Sequence, residues 1–215
     1  MSLVHSTWLA ATMATATLLL PGCVGPSHLD HPQRWEESPA PLLVNGCPDL
    51  SGTYDTRPSD AYPADVGIRP LLSEILGPRG LREGELRDLP WPELGGTTTA
   101  TFEPSGDWLY VRFGDGAGGE TTLIFKRRHW WGGDLKGAQA TYHCLVELEL
   151  GPTLALDGSR NPIFALPYTD FGYEKYWFLS KGRNGALIVN YRAGSGPWAW
   201  VASVWWRYPA VASNQ

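Results

Sequence analysis

The chain has 215 residues, 43% of them hydrophobic and 18% charged, which is enough to build one or two packed domains and too apolar for a disordered polymer. Its 17 Lys and Arg stand against 22 Asp and Glu, a net charge of −5 that lacks the basic footprint of a nucleic-acid binder. With 11 Trp beside 25 Gly and 18 Pro, the composition favours aromatic-rich strands joined by tight turns over long helices.

Trp8 to Leu20 reads WLAATMATATLLL, an uncharged run of signal-peptide length that is too short for a comfortable membrane span. It ends in Leu20-Pro21-Gly22-Cys23, an aliphatic, a variable and a small residue before a cysteine. That order resembles the lipobox of bacterial lipoproteins. In that family the cysteine thiol receives a diacylglycerol, a signal peptidase cuts just before it, and the new amino terminus is acylated. One acyl chain binds a bilayer only marginally and reversibly, so stable anchoring takes more than one. The resemblance implies that residues 1–22 are a signal peptide and that Cys23 is the lipidated first residue of the mature protein. With Val24 rather than Asp after the cysteine, it also implies the periplasmic face of the outer membrane.

After Cys23, residues 24–46 carry Pro26, Pro32, Pro39 and Pro41 among polar residues with no sustained apolar period, the composition of a flexible tether. His28 and His31 within it read as solvated rather than as a metal site. A single β-rich domain is expected over 47–215, opening at CPDLSGTY, residues 47–54. The Gly-x-aromatic step there faintly resembles the first strand of the lipocalin and calycin group, with Tyr54 at the position of the group's usual Trp. The same octet resembles a recurring opening of Gram-negative envelope lipoproteins, placed after the lipidated cysteine and its tether. With Cys23 assigned to lipid, Cys47 and Cys144 remain as an even pair in an oxidising compartment. They are either bridged or two buried thiols; a bridge would contribute roughly 4 to 5 kcal/mol in the chain-entropy model.

From 57 to 97 the chain is irregular and rich in Pro and Gly. One short helix is expected there, with Pro70 in its first turn, LLSEIL as its body, and Gly77 and Pro78 as its stop. The rest reads as a surface excursion, with a lid or a docking surface as the alternatives. From 98 on the period becomes two. TTTATFEP and DWLYVRFG flank Ser105-Gly106, and ETTLIFKRR follows the Gly-rich loop from Asp115 to Gly119. TYHCLVELEL sets Tyr142, Cys144 and Val146 on one face and His143, Leu145, Glu147 and Glu149 on the other, which predicts one buried and one wet face. KYWFLS and ALIVNYR make another hairpin, LDGSRNP reads as a turn, and WAWVASVWWRYP closes the series. The expected fold is therefore mainly β: an antiparallel meander of six or seven strands forming a barrel or a strongly curved sheet, with a short helix in a long Pro/Gly-rich loop.

Nine of the Trp fall between Trp91 and Trp206. Three roles fit them: core filling, the wall of a ligand cavity, or a partner surface. In the closing strand Trp198, Trp200 and Trp206 share a parity and Trp205 takes the other, which leaves Trp205 open to a surface role. Lys126, Arg127 and Arg128 next to Trp130 and Trp131 form a second candidate, able to meet lipid headgroups or an anionic polymer, or simply to stack on rings at a strand exit.

No HExxH, CxxC, GxSxG or P-loop is present, and the glycine run GDGAGG at 114–119 reads as a flexible turn rather than a phosphate cradle because no helix follows it, so no catalytic residue, metal or cofactor is assigned. His143, Glu147 and Glu149 read as a solvated strand face. The sequence thus predicts an outer-membrane-anchored lipoprotein with a non-catalytic domain that docks an envelope protein partner. The alternative is lipocalin-like binding of a small apolar ligand in an aromatic-lined barrel.

Overall fold

In the computed structural model the alternating segments from Thr99 onward pair edge to edge as strands, because each presents an unbroken apolar face to a common interior. The description covers residues 32, 35, 46–78, 81, 89–128, 136–147, 151–157, 174–194 and 200–212. The strands are β1 (Gly52–Asp55), β2 (Asp60–Tyr62), β3 (Thr99–Ser105), β4 (Trp108–Gly114) and β5 (Glu120–Arg127). They continue as β6 (Ala140–Glu147), β7 (Gly151–Asp157), β8 (Glu174–Lys181), β9 (Leu187–Gly194) and β10 (Trp200–Tyr208). All belong to one 10-stranded sheet in the order β1-β3-β4-β5-β6-β7-β8-β9-β10-β2.

The sheet curls until its ends meet. Tyr54 of β1 bridges Ala210 just beyond β10, and the backbone closes the seam with Asp55 N donating to Pro209 O and Val211 N to Thr53 O. Because β2 also pairs with β10, β1 and β2 lie along the same neighbour as two pieces of a broken edge. Gly106, at φ 61°, makes the tight β3–β4 turn, where a primed hairpin turn needs a left-handed residue.

Several expectations change. The meander is not wholly antiparallel, since β5 and β6 pair in parallel with Phe125 opposite Ala140. Residues 128–139 supply the long connection that a parallel pair requires. β7 was not among the expected strands; its last residues, Leu156 and Asp157, which open the expected turn LDGSRNP, pair with Trp177 and Tyr176, and residues 158–162 of that turn lie outside the described residues. Among the described residues the strand count rises from six or seven to ten because β1, β2 and β7 are short or weakly alternating.

The helix α1 (Leu72–Leu76) forms at LLSEIL, but Leu71 is its N-cap, so Pro70 precedes the first turn rather than lying in it. The Glu74 carboxylate accepts from Leu71 N at 2.9 Å, which satisfies one of the unpaired amides of the first turn. Around it the chain stays largely at the surface, with Ala64, Asp65, Gly67, Arg69, Glu93 and Gly95 exposed, but the helix itself turns inward. Leu72, Ile75 and Leu76 are fully buried in the main core, so a five-residue helix acts as a plug for the interior of the sheet.

Candidate functional site

The sheet register separates the two faces residue by residue. On the inner face, Val204, Tyr191, Trp177, Leu156 and Tyr142 lie opposite one another across β10 to β6, as do Trp206, Val189, Leu179, Leu154 and Cys144. Aromatic rings fill this interior. Trp177 lies 4.7 Å from Tyr191 and 5.8 Å from Trp206 between ring centroids, and Tyr54 meets Phe102 edge-on at 5.4 Å. Phe113, Phe125 and Tyr208 complete the packing.

Two donors on β10 hold the plug in place. Trp206 Nε1 donates to Ile68 O at 3.0 Å, and Tyr208 Oη donates to Pro70 O at 2.8 Å. Each gives a buried polar atom of the ring a backbone partner, as a dry interior requires. Burial pushes the phenols of Tyr54 and Tyr208 well above the ordinary tyrosine range, and those of Tyr142 and Tyr191 up to about 12.

The Cys47 and Cys144 sulfurs are joined in a disulfide, with Cα atoms 5.0 Å apart, tying the entrance of the domain to the inner face of β6. Beside it, Asp49 is held below its usual range: burial raises it, and the hydrogen bonds from Ser51 together with the Lys181 charge outweigh that.

The outer face differs from expectation. Along one row, Tyr62, Trp205, Asn190, Phe178, Ala155 and His143 face outward across β2, β10, β9, β8, β7 and β6. On β6 this face was expected to be wet, and on β10 its role was left open; a second apolar cluster forms on it from Trp35, Ala155, Phe178, Ile188 and Trp205, with Tyr62, Leu145 and Tyr176 at its margin. Trp205, expected at a ligand or partner surface, is 0% exposed and belongs to this cluster. A bulge between Trp200 and Ala202 shifts the register of Trp200, while Trp205 keeps the face opposite to Trp206.

Within the same face sits a buried polar group that the sequence did not announce. Asn190 Nδ2 donates to Ser203 Oγ at 2.9 Å and to Val204 O at 3.1 Å, while Arg192 Nε donates to Asn190 Oδ1 at 2.6 Å. The Arg192 guanidinium carbon lies 5.0 Å from the Phe178 ring centroid. In ALIVNYR these polar residues alternate with apolar ones, which marks their face; nothing in the spacing tells that the face is covered.

The basic strand end does not assemble into one patch. Strand alternation puts Lys126 and Arg127 on opposite faces of β5. Lys126 Nζ stacks 4.8 Å over the Trp108 ring, and Arg127 lies opposite Tyr142, whose raised phenol it pulls down against burial. Arg128 is exposed and its backbone N–H donates to Tyr142 O. Trp130, Trp131, His28, His31, Cys23, Glu149 and residues 1–22 lie outside the described residues, as does the side chain of Glu147. His143 is half-buried on the outer face. Among the described residues, no three His, Cys, Asp or Glu converge as metal ligands would.

No family model and no curated protein matches the chain. Among solved structures it is similar to the crystal structure of apo Caenorhabditis elegans lipid binding protein 8, with 12% identity and a TM-score of 0.35 over 80% of this chain and 100% of that chain. A likeness at that level assigns neither a ligand nor an activity.

Proposed function

We propose that this is a lipid-anchored protein of the Gram-negative envelope, held through Cys23 at the periplasmic face of the outer membrane, whose β-domain works by surface contact with an envelope partner. The observation that carries the surface role is the occupied interior. Trp177, Trp206, Tyr208 and the plug helix fill the space in which a barrel carrier would hold its cargo. A chain that fills its own barrel presents its outer faces and loops to the surroundings. The lipid anchor rests on the order Leu20-Pro21-Gly22-Cys23 behind an apolar run.

The test is mass spectrometry on the protein purified from the membranes of a Gram-negative host. The amino-terminal peptide should begin at Cys23 with the mass of a diacylglycerol and an acyl chain, and Cys23→Ser should remove that mass. An unmodified Cys23 would refute the anchor. Native spectra of the same protein should show no bound lipid beyond the covalent one; a stoichiometric apolar ligand would replace the surface reading with that of a carrier.

A further inference from the structure

Trp35 lies in the stretch whose composition predicts a tether, yet it is 4% exposed. Its indole is seated on the outer face against Ala155, Phe178, Ile188 and Trp205, and its Nε1 donates to Asp60 Oδ2 at 3.0 Å. Among the described residues it is the one member of that cluster that comes from outside the sheet. The contact is also shaped locally. Pro32 is buried, and Trp35 N donates to Pro32 O at 2.8 Å, so a turn presents the ring to its seat.

We infer that Pro32 and Trp35 fasten the N-terminal arm to the outer face, so that the leash between Cys23 and the domain ends at Pro32 and not at Cys47. The seat has the two features that select an indole: an apolar floor for the ring and a carboxylate for its N–H. A bare sheet face carrying Phe178, Ile188 and Trp205 would otherwise be an exposed apolar patch.

The consequence is geometric. Pro32 is nine residues beyond Cys23 and Cys47 is 24 beyond it, by subtraction of their positions. A fully extended chain spans at most about 3.6 Å per residue. The fastened leash therefore reaches roughly 30 Å from the bilayer, against roughly 85 Å for an arm free to Cys47. The part of the outer face where Trp35 is seated is then kept within that shorter distance of the membrane. This deepens the reading of Cys23 as the anchor and rests on it for its meaning in the cell.

Two readouts on the full chain test it. In solution, the rate of proteolytic cleavage between Cys23 and Cys47 should rise at least tenfold in Trp35→Ala. Trp35→Phe, which keeps the apolar ring, and Asp60→Ala, which removes the acceptor, should fall between. For reach, the chain is coupled through Cys23 to a maleimide lipid in phosphatidylcholine vesicles containing a dansyl headgroup lipid. Energy transfer from the domain tryptophans to dansyl should be strong in the parent chain, several-fold weaker in Trp35→Ala, and between the two in Asp60→Ala, which retains every tryptophan. Cleavage of Trp35→Ala at the parent rate would overturn the fastening. Faster cleavage with unchanged energy transfer would overturn the short leash. Should Trp35→Ala misfold by circular dichroism, Trp35→Phe and Asp60→Ala decide the outcome. The maleimide link replaces natural acylation, so absence of lipid on Cys23 in cells is read separately from failure of the fastening.

Discussion

Tyr208, in the last strand, donates its phenolic hydrogen to the carbonyl of Pro70, 138 residues earlier, at 2.8 Å. Both partners are buried, so the bond pins the plug segment to the end of β10. Removing the hydroxyl alone strands the Pro70 carbonyl in a dry place. Tyr208→Phe should therefore lose about 1 to 3 kcal/mol of unfolding free energy in urea melts, with no change in strand content.

Ile75 tests whether the plug is core or ornament. Its side chain is 0% exposed, whereas Val211 after the seam is 42% exposed. Ile75→Ala should cost about 2 to 5 kcal/mol in the same melts, and Val211→Ala no more than about 0.5 kcal/mol. Equal effects of the two substitutions would show that α1 contributes nothing to the packed interior.

Trp205 separates a packing role from a surface role. Its burial on the outer face predicts that Trp205→Ala destabilises the domain by about 3 to 5 kcal/mol, as loss of a large core ring does. A substitution at a true contact surface would instead leave the melting midpoint in place. Thermal and urea unfolding, compared with the parent chain, give the answer directly.

The disulfide closes a loop with a sequence separation of 97 between Cys47 and Cys144. In the chain-entropy model a closure of that length contributes about 4 to 5 kcal/mol. The double substitution Cys47→Ser with Cys144→Ser should lower the unfolding free energy by an amount of that order, and reductant should do the same to the parent chain and nothing to the variant.

Alkaline pH should unfold the domain cooperatively. Burial raises the folded-state pKa of Tyr142 and Tyr191 to about 12, and that of Tyr54 and Tyr208 further, above the ordinary value of 10.0. A raised folded pKa means that the native state holds the proton more tightly than the unfolded chain. This contribution is complete below pH 10 and is lost as pH climbs through 12. Phenolate absorbance from these four rings should accordingly appear together with the loss of strand circular dichroism.

Much of the β-region was legible because alternation is a direct consequence of a strand having two sides. DWLYVRFG, KYWFLS and ALIVNYR each carry their apolar face in their own order and form β4, β8 and β9. GTYD and DAY, which form β1 and β2, are too short to show a period, and their strand state comes from pairing with β3 and β10. The same limit applies to the site. Period two says that Trp205, Asn190 and Phe178 share a side, but not what covers that side.

By itself, then, the sequence determined the mainly β class, the candidacy of Cys47 and Cys144 as a pair, and the position of the short helix. Each of these follows from local pattern or from counting. Tertiary structure alone decided three things: that the helix enters the interior, that β5 and β6 run parallel, and that Trp35 seats on the outer face beside Trp205. All three are contacts between segments far apart in the chain, and no local period encodes which distant surface a buried ring will meet.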